Sequence, residues 1–382
     1  MVGNSNTSRG PCIEQEDTGS ERTDGARTEP LQPASRALPS SEGLCPSFAL
    51  AGGPWPAWHR PVRLPRARDE SRRRMAAVRR LRLLASHSVP AATGSSDGRQ
   101  LRVGEREREY VLDVLDNEFR TSGNSKYNSL LETAFAARFG AHASSGKEMF
   151  GIGHQNGTAT MHTALWAAGL RAGDEVIVPP LTMSSTAICV LHNGCVPVFA
   201  DVNARSFNID AESIRKVITP RTKAVITVSL YGLCPDYDPI VELCKEHGIV
   251  LIEDNAECFL GEYKGRLVGT IGDYSSFSFQ ASKHMTCGEG GMLLVKDQEQ
   301  ADLARRFCCL GYGSTSATKQ KFTKQEIQSP DYNRHCQLGW NYRMSELQAA
   351  VALAQLERLD ELVLCLLCTV LVTQSVRGSG RF

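Results

Sequence analysis

Between residues 174 and 297 the chain lays down a series of short apolar runs: DEVIVPP, CVPVFADV, KAVITVSLYG, GIVLIED, DYSSFSF and GMLLVKD. Segments with a helical period, such as AESIRKVI and YDPIVELCKEHG, separate several of them. No other pattern in the chain narrows the choice of fold as far. Strands rich in Val and Ile, buried on both faces and alternating with helices, predict an α/β fold with a mostly parallel central sheet. In such sheets ligands bind outside the carboxyl ends of the strands. Polar residues stand at those ends: Asp201 after VFA, Tyr231 after VSL and Asp254 after LIE. Each alone would serve as a turn former, whereas several on one edge predict a site.

The flanks read differently. Residues 1–103 are rich in Ser, Pro, Gly and Arg and show no period long enough to bury a face, so disorder is expected there. Ten arginines fall between Arg60 and Arg82, while the first lysine is Lys126, so two compositions have been joined. An arginine cluster without a binding module around it gives no reason to expect a nucleic-acid partner. The stretch MAAVRRLRLLASHSVPAATGSS from Met75 is basic, Ser-containing and free of acids, which suits a mitochondrial transit peptide if translation begins at Met75. Otherwise the cytoplasm is expected. Regular periodicity starts near Glu105 with EREREYVLDVLDNEF and SLLETAFAARFG, and residues 104–361 are expected to form one domain.

That domain closes with SELQAAVALAQLERLDELV. A capping box, Ser345 with Gln348, opens this helix, and Leu347, Ala350, Val351 and Ala354 fall on one face. Residues 362–382 read as a divergent tail whose apolar run is too short to span a bilayer, so no membrane association is expected. The 13 cysteines are odd in number and scattered, and they include the vicinal pair Cys308 and Cys309. They read as reduced thiols rather than as a secreted disulfide framework. Cys365 and Cys368 form a CxxC with no second pair, so no metal site is expected.

The chemistry centres on FSFQASKHMTCGEGG, which sets Lys283 between an apolar strand and a glycine cluster. An amine with an ordinary pKa of about 10.4 is a poor nucleophile at neutral pH until burial or nearby positive charge lowers that value. Gly288, Gly290 and Gly291 let backbone pass close to a ligand. Ser278 offers a hydroxyl to a phosphate oxygen. A lone lysine is ordinarily a solvated surface residue, so the reading depends on its companions. The first is GHQNGTATMHTALWAAGL, where Gly157 and Thr158 open a helix whose exposed N–H groups make an anion site. Gly151 and Gly153 invite a dinucleotide-binding alternative, but the spacing is not G-x-G-x-x-G and HASSGKEMFGIG is not a clean strand. The second companion is Asp254 in IEDNAEC, otherwise a helix cap. The pyridine nitrogen of pyridoxal phosphate needs such a carboxylate to stay protonated, so amine, anion cradle and acid together specify that cofactor.

From about residue 105 to residue 361 the chain resembles the DegT/DnrJ/StrS nucleotide-sugar aminotransferases, within the fold type I enzymes that use pyridoxal phosphate. The matching motifs are NGTAT (156–160), GDEVIVPPLTMSSTA (173–187), PVFADV (197–202), ITPRTKAVI (218–226), IEDNAE (252–257), SFSFQASKH (276–284), GEGGM (288–292) and NYRMSELQAA (341–350). The resemblance implies that Lys283 forms the Schiff base with the cofactor and moves the proton between the substrate α-carbon and C4′. It implies that Gly157, Thr158, Ala159 and Ser278 hold the phosphate and that Asp254 pairs with the pyridine nitrogen. Asn341 would reach the phosphate of the neighbouring subunit in a homodimer. Dehydratases of the family carry histidine in place of the lysine, so Lys283 implies transamination, with glutamate as donor and a keto-sugar nucleotide as acceptor.

Two positions depart from the commonest pattern. Met183 replaces the ring-stacking aromatic, and a thioether covers less of a ring face. Glu257 replaces a Gln or His, which puts a carboxylate near the cofactor's phenolic oxygen. His284 beside Lys283 could assist proton transfer, although a packed histidine is the simpler expectation. Family members continue into a small C-terminal domain, and the resemblance stops near Leu362, so that domain is expected to be truncated. The alternative function is therefore a non-catalytic protein that keeps the fold for dimerisation or partner binding.

Overall fold

The computed structural model describes residues 102–117, 119, 125–141, 148–313, 325 and 328–367. Residues 1–101 of the segment expected to be disordered, the stretch from Met75 among them, lie outside them, as do Cys368 and the last residues of the tail; Arg102 and Val103, at the end of that segment, are described, and Arg102 hydrogen-bonds to Ala281 O at 2.6 Å. A seven-stranded sheet organises the rest. Its strands are β1 (Phe150–His154), β2 (Glu175–Val178), β3 (Val196–Phe199), β4 (Thr222–Val228), β5 (Val250–Asp254), β8 (Tyr274–Ser278) and β9 (Gly291–Val295). The short hairpin of β6 (Glu262–Tyr263) and β7 (Arg266–Leu267) stands apart. The order is β1-β9-β8-β5-β4-β2-β3. Pairings from β8 to β3 are parallel, while β9 runs antiparallel to both of its neighbours. The carboxyl ends of β5 and β8 therefore open on the same edge.

Strand period 2 divides the core into two faces. Val176, Val178, Ile226, Ile252 and Leu293 feed one side, beneath α3 (Gly157–Ala167), α4 (Ser185–His192) and α7 (Gln298–Cys308). Ile177, Val225 and Leu251 feed the other, beneath α5 (Ala211–Arg215) and α6 (Tyr237–His247). On that second side, Phe277, Met292 and Leu294 meet α1 (Glu105–Asp116), α2 (Lys126–Gly140) and α8 (Glu346–Glu357). Helices thus cover both faces of the sheet, the three-layer arrangement expected of parallel strands.

Three local expectations change. FGIGH is a strand, although its sequence has little β-branched character: Gly151 and Gly153 pair with Leu294 and Met292 in register, and α2 lies against the glycines. A Cβ on Gly151 would meet the Glu132 carbonyl oxygen at 2.8 Å. β3 is an edge strand, with Val196 and Phe199 exposed rather than buried on both faces. The capping box of α8 forms as expected, Ser345 Oγ accepting from Gln348 N at 3.3 Å and Gln348 Oε1 accepting from Ser345 N at 2.9 Å. The helix is buried over far more than one face, because α1 and α2 flank it and Ala349, Ala352, Gln355 and Leu356 are all enclosed. Residues 359–367 continue helical, and Leu359 and Leu362 join the core.

Candidate active site

Alternation along β5 gives neighbouring carboxylates opposite duties. Glu253 points into the structure and accepts from the N–H groups of Gly269, Ile271 and Gly272 and from Ser275 Oγ, all within 3.1 Å. Asp254 turns to the other face, 4% exposed, and lines a cavity of about 670 Å³ at the carboxyl edge of the sheet. Its Oδ1 accepts from Ala256 N at 3.1 Å and its Oδ2 from Thr186 Oγ1 at 3.2 Å. Burial raises the Asp254 carboxyl above its ordinary value; the two hydrogen bonds and the nearby Lys283 work against the rise. A buried carboxylate so placed favours a cationic partner.

A second wall is the start of α3. Asn156 caps it, Oδ1 accepting from Ala159 N at 2.8 Å, and the first-turn N–H groups of an α-helix have no partner within the helix. Gly157 allows this turn to press on the end of β8: a Cβ there would sit 2.9 Å from Ser278 Cβ. Gly291 does the same from β9, where a Cβ would fall 2.8 Å from the Asn156 carbonyl carbon. Gly157 of NGTAT and Gly291 of GEGG thus bring the helix N-terminus and Ser278 together in the geometry that an anion cradle would need. Thr158 Oγ1 donates to Ser185 Oγ at 3.0 Å, which ties the cradle to α4.

The third wall carries Lys283, on the loop that follows β8. The loop turns on itself, Lys283 N donating to Gln280 O at 2.9 Å and Cys287 N to Phe279 O at 3.1 Å. Lys283 Nζ lies 3.4 Å from Glu257 Oε1, with both side chains largely shielded. Glu257 Oε2 accepts from Tyr231 N at 3.0 Å. Tyr231 holds φ 54°, a left-handed backbone that costs a residue with a Cβ about 1 kcal/mol or more. Its ring is 78% exposed.

Most of the sequence-derived residues meet here. Gly157, Thr158, Ala159, Met183, Asp254, Ser278 and Lys283 line the one cavity, and Glu257 touches it through Lys283. Met183 is 69% exposed and stands at the rim. Asn341 is outside the lining; its Oδ1 accepts from Arg343 Nε at 3.0 Å, while the adjacent Tyr342 does line the cavity. Asp201 remains exposed and accepts from Val202 N in its own turn. His284 packs its ring 5.5 Å from Phe259 rather than facing the cavity, and burial, then Lys283 and Arg102, lower its pKa. Thr186, His192 and Tyr342 were missed by sequence reasoning. Thr186 sits inside GDEVIVPPLTMSSTA, but nothing in its spacing pairs it with an acid 68 residues away. Among the described residues there is no cluster of three or more metal-ligating side chains, and no helix is long and apolar enough to cross a membrane.

A mostly parallel sheet with an amine, a buried acid and an open helix N-terminus at its carboxyl edge is the arrangement expected of the aminotransferases that use pyridoxal phosphate. The chain belongs to the DegT/DnrJ/EryC1/StrS aminotransferase family, whose model matches residues 102–364. It is 40% identical over 262 residues to a GDP-perosamine synthase of Caulobacter vibrioides, covering 68% of this chain and 64% of that protein. Among solved structures it resembles an aminotransferase from Psychrobacter cryohalolentis, with a TM-score of 0.59 and 34% identity over 66% of this chain and 61% of the other. It also resembles NtdA from Bacillus subtilis with bound cofactor PMP, with a TM-score of 0.55 and 27% identity over 68% and 54% of the two chains. The chain therefore spans between about half and two thirds of the length of these relatives.

Proposed function

We propose that the chain acts as a pyridoxal-phosphate-dependent aminotransferase that moves an amino group from an amino acid, glutamate by preference, to a keto-sugar carried on a nucleotide. The observation that carries this reading is the convergence of Lys283, Asp254 and the start of α3 on one cavity from three distant segments. The Caulobacter relative, named for a GDP-linked amino sugar, supports the acceptor class.

When bound, pyridoxal phosphate supplies an aldehyde that joins amines covalently and a ring that accepts the electron pair left when a C–H bond breaks. The protein's share is to bind and to move protons. The first turn of α3 and Ser278 would hold the phosphate, with Gly157 providing the space. Asp254, kept in place by Thr186 and the Ala256 N–H, would hold a proton on the ring nitrogen. Its burial makes that pairing strong, because a carboxylate out of water gains more from a fixed cation. With the cofactor bound, Lys283 Nζ would be the group that takes the proton from the substrate α-carbon and gives it back. Glu257 holds the lysine between those duties, oriented in turn by Tyr231 N. Met183 packs at the rim of the ring site. The working unit in this reading is a homodimer in which Asn341 serves the partner subunit's phosphate.

Incubation of the cofactor-loaded chain with L-glutamate and no acceptor tests the proposal. One equivalent of 2-oxoglutarate per subunit is expected, followed by amination of an added nucleotide-linked keto-sugar. Cofactor binding without release of a 2-oxo acid from any amino acid would contradict transamination and favour a non-catalytic protein.

A further inference from the structure

Arg102 lies far from Lys283 in sequence, yet its guanidinium reaches across to the loop that carries the lysine. Nη1 donates to Ala281 O at 2.6 Å, and Nη2 donates to Lys283 O and, at 3.4 Å, to His284 O. Backbone carbonyls in an irregular loop need partners, and a planar fork of donors can serve several at once. The loop's own hydrogen bonds use Gln280 O and Phe279 O, leaving these three carbonyls to Arg102. The arginine is itself anchored. Its carbonyl accepts from Gln355 Nε2 at 2.8 Å, and Gln355 Oε1 accepts from Thr286 N at 3.3 Å, at the far end of the same loop. Gln355 is fully buried and also donates to Glu107 Oε1 at 2.5 Å, which Arg358 Nη1 holds at 2.9 Å. One network therefore grips residues 281–286 from both ends and fixes them to α1 and α8.

We propose that Arg102 is a positioning residue for the chemistry at Lys283, clamping the lysine's own carbonyl so that Nζ faces Asp254 and Glu257 across the cavity. The inference rests on the aminotransferase reading for its catalytic meaning, but the clamp itself is a property of the chain without cofactor. A flexible amine loses rate steeply when its backbone drifts, since displacements on the order of 1 Å can cost a hundredfold. Charge-assisted hydrogen bonds are strong enough that losing them should open the loop by about tenfold or more.

Arg102→Met and Arg102→Lys, compared with the unmodified chain, test this in two readouts. Hydrogen exchange of the cofactor-free protein should show about tenfold faster exchange for amides 281–287 in Arg102→Met, with β8 and α8 unchanged. With pyridoxal phosphate present, borohydride should fix the cofactor to Lys283 about tenfold more slowly in that variant, read by peptide mass. Arg102→Lys keeps the charge on a single nitrogen and should recover only part of both effects. Unchanged exchange in residues 281–287, or full recovery by Arg102→Lys, would overturn the clamp. If the unmodified chain fixes no cofactor at Lys283, the aminotransferase reading fails, while the exchange comparison still decides the clamp.

Discussion

Lys283 Nζ and Glu257 Oε1 stand 3.4 Å apart at the edge of the cavity, and Glu257 is held on its other oxygen by Tyr231 N. The carboxylate that departs from the commonest family pattern is therefore the lysine's own counter-ion here. Glu257→Ala leaves the amine without that partner and the Tyr231 N–H without an acceptor. The half-reaction with glutamate should slow by about tenfold or more, with the loss in kcat rather than KM, whereas Glu257→Gln retains the acceptor for Tyr231 and should lose less. Single-turnover kinetics of the two variants separate these outcomes.

Gly157 faces Ser278 so closely that an added methyl group would come within 2.9 Å of Ser278 Cβ. Gly157→Ala should push the start of α3 off β8, costing about 1–3 kcal/mol of stability by overpacking. Affinity for pyridoxal phosphate should fall with it. Thermal melts and a fluorescence titration with the cofactor measure the two effects together.

Asp254 has its carboxyl raised by burial above the ordinary 3.8. A group whose value rises on folding binds its proton more tightly in the native state, so stability is greatest below 3.8 and falls as pH rises through the folded value. Asp254→Asn removes that cost. The cofactor-free variant should melt above the unmodified chain at neutral pH, the difference shrinking as pH falls into the ordinary carboxylate range. Cofactor-dependent activity should be lost in the same variant, since an amide cannot hold the ring nitrogen's proton by charge. Melting curves across pH read the first effect without any ligand.

Asn341 lies outside the cavity lining, its side chain turned to Arg343. If it serves a partner subunit, Lys283→Ala and Asn341→Ala chains should each be weak alone yet complement when mixed. Random pairing restores about a quarter of the sites, because each mixed dimer holds one complete set. Activity after mixing, compared with the average of the separate variants, gives the answer.

The strands were legible because short unbroken runs rich in Val, Ile and Leu are what burial on both faces of a sheet demands, and the motif acid ends a strand while the motif lysine follows one, where such sheets bind ligands. β1 escaped notice because glycines stand where β-branched residues would signal a strand. Their reason is tertiary, the close approach of α2 to Gly151. Thr186 and Arg102 escaped for a related cause. Each acts on a group 68 or about 180 residues away, and only the folded sheet brings those segments together. Glu257 was legible as a departure, but its partner Lys283, 26 residues on, was not. An ion pair between two loops leaves no period in a sequence.

In the proposed reaction Lys283 captures pyridoxal phosphate in the cavity and exchanges nitrogen through it. The visible absorption spectrum of the chain with pyridoxal phosphate, recorded before and after L-glutamate and alongside Lys283→Ala, tests it most directly. A band that requires Lys283 and shifts to the pyridoxamine form on adding glutamate is the result predicted. A folded chain that shows no Lys283-dependent band would contradict the account.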